Sequence, residues 1–272
     1  MTKIAIMYDF DETLCTRNMQ EYSLIPALKL DAGSFWQSVA SMARENNMDP
    51  TLTYMYLITQ KAKEAGVPIK RSYFQTLGRD IEYFPGVEDY FERINAYGQA
   101  LGITVQHYVI SSGNREIIEG CKIYPQFKEV FASEFHYDKD GNADWPAVAI
   151  NYTGKTQFLF RISKDALNIY DSEKVNTSID ASERDIPFTN MIYLGDGMTD
   201  VPCMRLVKAN GGYSIGIYTP DKYHTIQKLV AEDRVNFACN ADYRNNSQLD
   251  LVLKGIITKI ALENNLKKYQ KI

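Results

Sequence analysis

Residues 4–13 read Ile-Ala-Ile-Met-Tyr-Asp-Phe-Asp-Glu-Thr, so five apolar residues lead directly into an acidic segment. An apolar run of this length without polar interruption predicts a strand that is buried on both faces, as in a parallel sheet. The carboxylates of Asp9 and Asp11 follow where this strand ends. Because ligands bind beyond the carboxyl ends of the strands in open parallel sheets, chemistry is expected here.

Three further apolar runs predict strands of the same sheet: Val105–Ile110, Met191–Leu194 and Tyr213–Tyr218. Helical patterns lie between them. One example is Val87–Ala96, for which Gly98 is the expected C-terminal cap. Strands that alternate with helices predict an α/β fold with a Rossmann-like, open parallel sheet.

The segment between the first and second of these strands departs from the alternation, because it contains no convincing strand. One amphipathic helix is expected after Ser34, which would serve as its N-cap. A second helix is expected from Thr51 to Ala65, ending at Gly66. The segment is therefore predicted to be helical.

These patterns divide the chain into two predicted domains. Residues 15–84 form a small helical cap domain inserted after the first strand, and residues 1–14 and 85–272 form the α/β core. A further irregular piece, residues 131–151, alternates in polarity up to Tyr137, continues through a polar turn into another apolar stretch, and is predicted to be a β-hairpin.

Composition excludes several classes of protein. The net charge of −4 argues against a nucleic-acid partner, since binding to the phosphate backbone needs a concentrated basic surface. No apolar stretch is long enough to span a bilayer, and the N-terminus lacks the pattern of a signal peptide. The cysteines are widely scattered, which favours reduced thiols and a cytoplasmic location. They are Cys15, Cys121, Cys203 and Cys239.

Two short segments carry possible chemistry but are ambiguous by themselves. The pair Asp9 and Asp11 could be catalytic, yet Asp-x-Asp also occurs in loops that cap helices or bind cations loosely. Ser111-Ser112-Gly113-Asn114 follows the second strand, and its hydroxyl and backbone N–H groups could hold a phosphate. The alternative there is a plain serine N-cap.

Two later segments are ambiguous in the same way. Lys155 lies in Gly154-Lys155-Thr156, but a nucleotide-binding P-loop is rejected because Ala149 stands where the pattern needs glycine. A lone lysine is usually a solvated charge. Gly195-Asp196-Gly197 follows the third strand, where glycines allow close backbone approach to a ligand or metal. Asp200 could simply cap the next helix.

Together, and in this order along the chain, the four segments resemble the signature motifs of the haloacid dehalogenase-like superfamily. The resemblance spans most of the chain. The layout is most similar to the phosphoserine phosphatase type, which carries a helical cap at the same point. The resemblance implies a Rossmann-like core with an inserted cap and a phosphatase activity.

The resemblance also implies a role for each motif residue. Asp9 matches the nucleophile that forms an aspartyl-phosphate, and Asp11 matches the general acid and base. Lys155 and Ser111 match the phosphate-binding positions, and Lys155 would offset negative charge during transfer. Thr13 resembles the residue that steadies the first loop.

A magnesium ion is the cofactor that the resemblance implies. Its ligands would be Asp9, the backbone carbonyl of Asp11, and Asp196, with Asp200 binding directly or through water. A carboxylate can attack phosphorus only if the repulsion between two anions is offset, and Mg²⁺ does this by bridging them. An oxygen-rich site suits such a hard cation.

The expected reaction is hydrolysis of a small phosphorylated metabolite. An acid at Asp11 disfavours dehalogenase and phosphonatase chemistry, and the related ion pumps need membrane spans. A phosphomutase with the same motifs and a non-catalytic phosphometabolite-binding protein stay open as alternatives.

The substrate is the point where the sequence departs from the phosphoserine enzymes. These carry a glutamate a few residues beyond Thr13, whereas this chain has Arg17 in that stretch. We hypothesise that Arg17, or another residue of the cap, binds the substrate and favours a different, anionic ester. Ser112 is expected to contribute a backbone donor beside Ser111.

Overall fold

A computed structural model describes residues 2–180, 183–267 and 269. The strands in this part of the chain are β1 (Thr2–Tyr8), β2 (Ile103–Asn114), β3 (Glu129–Tyr137), β4 (Ala143–Val148), β5 (Met191–Gly195), β6 (Tyr213–Tyr218) and β7 (Phe237–Asn240). The helices are α1 (Leu24–Ala27), α2 (Ala32–Asn46), α3 (Pro50–Ala65), α4 (Arg71–Leu77), α5 (Val87–Ala100), α6 (Arg115–Glu119), α7 (Thr156–Ser163), α8 (Ser172–Asn176), α9 (Val201–Ala209), α10 (Tyr223–Ala231) and α11 (Gln248–Lys267).

The strands form one sheet with β1 at its centre, in the order β4-β3-β2-β1-β5-β6-β7. Neighbouring strands from β3 to β7 run parallel, and β4 joins the edge as the antiparallel partner of β3. The predicted parallel α/β fold and the predicted hairpin are therefore confirmed. Tyr8 pairs with Val109 on one side and with Leu194 on the other. This register makes the chain leave all three central strands at the same edge.

The two faces of the sheet are covered separately, because successive side chains of a strand point to opposite sides. Ile4, Ile6 and Tyr8 belong to one apolar cluster, which includes residues of α5 and α11. Ala5 and Met7 belong to the other, which includes residues of α7, α9 and α10. The apolar run of β1, residues 4–8, is buried on both faces, as its composition predicts.

Helices α1 to α4 form the insert between β1 and α5. The chain enters and leaves the insert side by side: Cys15 and Tyr83 form an isolated antiparallel bridge, and the N–H of Phe84 donates to the carbonyl of Leu14 at 3.1 Å. Side chains of the insert continue one of the two sheet clusters, so the insert packs on the core without a separate apolar layer.

Two helix ends differ from the sequence-based expectation. Helix α2 begins one turn earlier than predicted, because the side chain of Asp31 caps it by accepting the N–H of Ser34 at 2.9 Å. Helix α5 does not end at Gly98 but continues through it. Gly98 is needed there for packing, since a Cβ atom at this position would lie 2.6 Å from Val105 Cγ2. The predicted end of α3 at Gly66 is confirmed.

Among the described residues, no helix combines the length and the apolar character that crossing a bilayer requires. All four cysteines are buried and free. The cytoplasmic location inferred from the scattered cysteines stays a prediction.

Candidate active site

Asp9 lies at the carboxyl end of β1, at the centre of the sheet edge. Its N–H donates to the carbonyl of Leu194 at 2.9 Å, so the ladder to β5 extends one residue beyond the strand. Its Oδ1 accepts the N–H of Phe10 at 2.7 Å. The side chain is almost buried. Burial and the charge of Asp200 raise the pKa of Asp9 to about 7, against the lowering effect of Lys155.

Lys155 joins two carboxylates and is completely buried. Its Nζ lies 2.7 Å from Asp9 Oδ2 and 2.8 Å from Asp200 Oδ1. A short 3₁₀ turn, Tyr152–Lys155, delivers it directly before α7. Burial alone would lower the pKa of Lys155, but attraction to Asp200 and Asp9 outweighs it and raises this pKa above its ordinary value. Lys155 therefore stays charged, and the solvated-lysine interpretation does not hold.

Asp200 is also completely buried, at the start of α9. Its Oδ1 accepts the hydroxyl of Tyr193 at 2.7 Å as well as the Lys155 ammonium, and its Oδ2 accepts the N–H of Gly197 at 3.3 Å. Glycine is required at position 195, because a Cβ atom there would lie 2.5 Å from the Asp200 carboxyl group. Asp200 makes no side-chain bond that caps α9.

Asp196 completes a cluster of carboxylates. One ligand oxygen each of Asp9, Asp196 and Asp200 lies within 4.8 Å of the others. Thr13, fully buried, donates its hydroxyl to Asp196 Oδ1 at 3.2 Å. Burial, followed by repulsion from Asp200 and Asp9, raises the pKa of Asp196 well above its usual range. Three acids face one lysine, and such a set of oxygen donors with surplus negative charge fits a hard divalent cation.

Asp11 lies apart from this cluster and turns towards the insert. Its Oδ1 accepts the N–H of Met19 at 2.8 Å and lies 3.7 Å from Cys15 Sγ. Burial, with the negative charge of Asp9 second, raises the pKa of Asp11 to about 8. A carboxyl group with this pKa is protonated at neutral pH, so it can donate a proton to a leaving group.

The serine segment lies at the end of β2, next to β1. Ser111 is fully buried, and its hydroxyl accepts the N–H of Gly113 at 3.0 Å. This segment is still part of the strand, so Ser111 is not the N-cap of α6, which begins at Arg115. The carbonyl of Ser112 accepts the hydroxyl of Tyr54 at 2.7 Å, which ties the insert to this edge.

Arg17 is not brought to the site. Its guanidinium lies over the ring of Tyr22 at 4.4 Å, and its Nη2 is 3.8 Å from Glu82 Oε2. Nearly half of its side chain is exposed. In this arrangement the positive charge of Arg17 faces Tyr22 and Glu82 and does not contribute to binding of an anionic substrate.

A cavity of about 230 Å³ lies between the insert and the sheet edge. It is lined from both sides, including by Asp11, Gln20, Trp36, Tyr54, Ser112 and Asn151. Asp11 thus faces a cavity that the insert closes on one side.

Sequence reasoning missed two residues of this site. Tyr193 lies within an apolar run and is indistinguishable from a core tyrosine until its hydroxyl is seen on Asp200. Gln20 was not singled out, because its partner, Asn114, is 94 positions away. For Tyr193, the position at the end of a strand and next to the glycine motif could have indicated a role in the site. For Gln20, nothing in the sequence indicated one.

Three comparisons place the chain among known proteins. It is 27% identical to an uncharacterized protein of Borreliella burgdorferi, over 95% of this chain and 97% of that protein. The fold matches a haloacid dehalogenase family hydrolase from Salmonella enterica serovar Typhi with a TM-score of 0.59 at 16% identity, over 93% of this chain and 70% of that one. It also matches a substrate-bound phosphoserine phosphatase, with a TM-score of 0.58 at 15% identity over 94% and 99% of the two chains.

The structural matches establish a shared fold, including the fold of the phosphoserine phosphatase type. A family model carries the assignment further, because it matches residues 6–205, which contain all four motifs and the insert. The chain belongs to the haloacid dehalogenase-like hydrolases.

Proposed function

We propose that the chain hydrolyses small phosphate monoesters through an aspartyl-phosphate on Asp9. The observation that carries this proposal is the buried lysine bridge: Lys155 holds Asp9 and Asp200 at 2.7 and 2.8 Å, next to Asp196. Burying these charges costs free energy that a purely structural role does not explain. Acidic groups in a cleft with strongly shifted pKa values are typical of catalytic sites.

Mg²⁺ is the proposed cofactor, and the donor set described above fits it. Asp9, Asp196 and the backbone carbonyl of Asp11 would hold the ion, with Asp200 binding directly or through water. When bound, Mg²⁺ supplies charge that offsets the repulsion between the Asp9 carboxylate and the phosphate. The remaining steps are carried by the residues of the chain.

In the first step a carboxylate oxygen of Asp9 attacks phosphorus, and the bond from phosphorus to the leaving oxygen breaks. Asp11, protonated at neutral pH, gives its proton to that oxygen, so the product leaves as an alcohol. Asp11 then takes a proton from the water that attacks the aspartyl-phosphate, which releases inorganic phosphate and restores Asp9. Lys155 keeps a positive charge beside Asp9 throughout.

The remaining predicted residues have supporting roles. Ser111 is proposed to bind a phosphate oxygen through its hydroxyl, and Ser112 to offer its backbone N–H beside it. Thr13 holds Asp196 through its hydroxyl. We propose that residues 15–84 act as the cap, closing the cleft over Asp11. No role in substrate binding is proposed for Arg17.

Release of inorganic phosphate from p-nitrophenyl phosphate tests this function. We expect Mg²⁺-dependent turnover that EDTA abolishes and added Mg²⁺ restores. Turnover that is insensitive to EDTA would contradict the role of the metal. If the phosphoryl group of the ester is labelled, rapid quenching of the reaction should leave the label on the peptide that contains Asp9. Isomerisation of a sugar monophosphate that requires a sugar bisphosphate, without release of inorganic phosphate, would instead indicate a phosphomutase.

A further inference from the structure

The leaving group of a substrate must lie on the side of the site where Asp11 can reach its oxygen. Asp11 lines the cavity of about 230 Å³ beneath the insert. A second cavity, of about 240 Å³, contains Asp196 and the ion pair of Glu12 with Lys222, but Asp11 is not part of its wall. The first cavity is therefore the leaving-group pocket, and its size suits a group of a few atoms.

The charge of this pocket argues against an anionic leaving group. Within the described part of the chain, neither lysine, arginine nor histidine lines it, and Asp11 is its one ionisable carboxylate. A negatively charged group that enters would lose its water without gaining a cation. The amides and the aromatic rings of the wall can instead accommodate an uncharged or a cationic group.

A buried carboxamide in the wall points to a hydrogen-bond donor on the substrate. Gln20 is only 2% exposed and lines the pocket. Its Nε2 donates to Asn114 Oδ1 at 3.0 Å, while its Oε1 and the Nδ2 of Asn114 have no partner among the described residues. Leaving a buried acceptor unpaired costs free energy, and a ligand that donates to it would recover this cost.

A carboxylate behind the wall holds two of its members in place. Glu21 Oε1 accepts the side-chain N–H of Asn18 at 2.6 Å and the indole N–H of Trp36 at 2.7 Å. Both residues line the pocket, so Glu21 is a positioning residue for them. Its negative charge adds to the preference against anions.

We infer that this pocket selects phosphate esters whose leaving group carries an N–H or O–H donor and no negative charge, with Gln20 Oε1 accepting the hydrogen bond. The inference rests on the proposed phosphatase function and deepens it, because it names the substrate class. It differs from the anionic ester that we hypothesised from Arg17 in the sequence.

Four small esters test the inference: 2-aminoethyl phosphate, 2-hydroxyethyl phosphate, ethyl phosphate and phosphoglycolate. The second carbon carries an ammonium in the first and a hydroxyl in the second, is an unsubstituted methyl in ethyl phosphate, and is the carboxylate carbon in phosphoglycolate. We expect kcat/KM for the first two to exceed that for phosphoglycolate by roughly tenfold or more, and that for ethyl phosphate by several-fold. A preference for phosphoglycolate would overturn the inference.

Variants of Gln20 test the named contact. Gln20→Met keeps the size of the side chain but removes the acceptor, so the several-fold advantage of the amino and hydroxy esters over ethyl phosphate should be lost, mainly through KM. Gln20→Glu keeps an acceptor and adds charge, so it should favour the ammonium over the hydroxyl ester. Gln99→Met, on the exposed side of α5, is the matched control and should leave all ratios unchanged.

The outcomes separate this inference from the function on which it rests. If p-nitrophenyl phosphate and all four esters release no phosphate, the proposed function fails. If phosphate is released but Gln20→Met leaves the ratio of amino to ethyl ester unchanged, only the role of Gln20 is refuted. Because each ratio compares two substrates of one variant, a partial loss of folded protein cannot produce the expected result.

Discussion

The two walls of the proposed active site satisfy their polar groups to different degrees. On the sheet side, both carboxylate oxygens of Asp9 and of Asp200 accept hydrogen bonds or pair with Lys155. Where the insert meets the end of β2, by contrast, Gln20 Oε1 and Asn114 Nδ2 are buried without a partner in the described residues. Carboxylates whose oxygens all have partners are held in one arrangement, whereas a buried acceptor without a partner gains a hydrogen bond if a ligand donates to it.

This difference suggests a division of labour between the two walls. Substitutions on the sheet side should change the rate for every ester alike, since all share the phosphate. Substitutions on the insert side should change which ester is preferred. If the sheet side is a single reaction centre, the loss of any of its residues should affect all esters to the same extent.

The largest effect is expected for Asp9→Asn, which removes the nucleophile and keeps the shape of the side chain. Turnover should fall at least about a thousandfold, which corresponds to ~4 kcal/mol in the activation free energy. The loss should be the same for every ester, as measured by phosphate release. Asp140→Asn, on the exposed turn between β3 and β4, is the matched control. Near-normal Mg²⁺-dependent activity in Asp9→Asn would refute the mechanism.

Lys155→Met should give the next largest effect and should act on stability as well. Without the ammonium, Asp9 and Asp200 repel each other in a buried place, so the free energy of unfolding should fall by about 3 kcal/mol. We expect kcat to fall by about a hundredfold or more. Urea denaturation and steady-state kinetics measure the two effects. Lys139→Met, which is exposed, should change neither.

If stability fell but kcat did not, Lys155 would be a structural counter-ion only. The sheet side would then not be a reaction centre, and the division of labour proposed for the two walls would be wrong.

The sequence predicted this sheet side far better than the insert side, and the reason lies in the distance between partners. Asp9 and Ser111 each follow an apolar run directly, and Asp196 follows one after a single glycine, so their common edge follows from the parallel order of the strands. Lys155 follows no strand of the parallel sheet. Its place in the site was implied by the family resemblance and not by its surroundings in the sequence.

The contacts of the insert could not be predicted from the sequence in this way. Gln20 and Asn114 are 94 positions apart, and nothing in either segment indicates the other. Arg17 illustrates the same limit, since its charge was visible but its stacking on Tyr22 was not. The cap of α2 depended on which of two good capping residues, Asp31 or Ser34, the chain would use, and local geometry decided for Asp31.

The pH profile should identify Asp11 as the proton donor. Below its pKa of about 8 the carboxyl group is protonated, and it loses this proton as the pH rises. For an alkyl ester, kcat should therefore fall above about pH 8, approaching tenfold per pH unit. p-Nitrophenyl phosphate is the internal control, because its leaving group needs no proton and its kcat should fall much less. Equal profiles for the two substrates would contradict the role of Asp11.

The smallest effect is expected for Tyr193→Phe, which removes one hydrogen bond from Asp200 and leaves the bond to Lys155 in place. Stability should fall by about 1 kcal/mol, because one buried carboxylate oxygen loses a donor. We expect kcat to fall severalfold, equally for all esters, if Tyr193 helps to orient Asp200. Tyr97→Phe removes a hydroxyl bonded to Thr258 on α11, and it should affect stability alone. A change in the preference among esters in Tyr193→Phe would show that the two walls are coupled and would break the division of labour proposed for them.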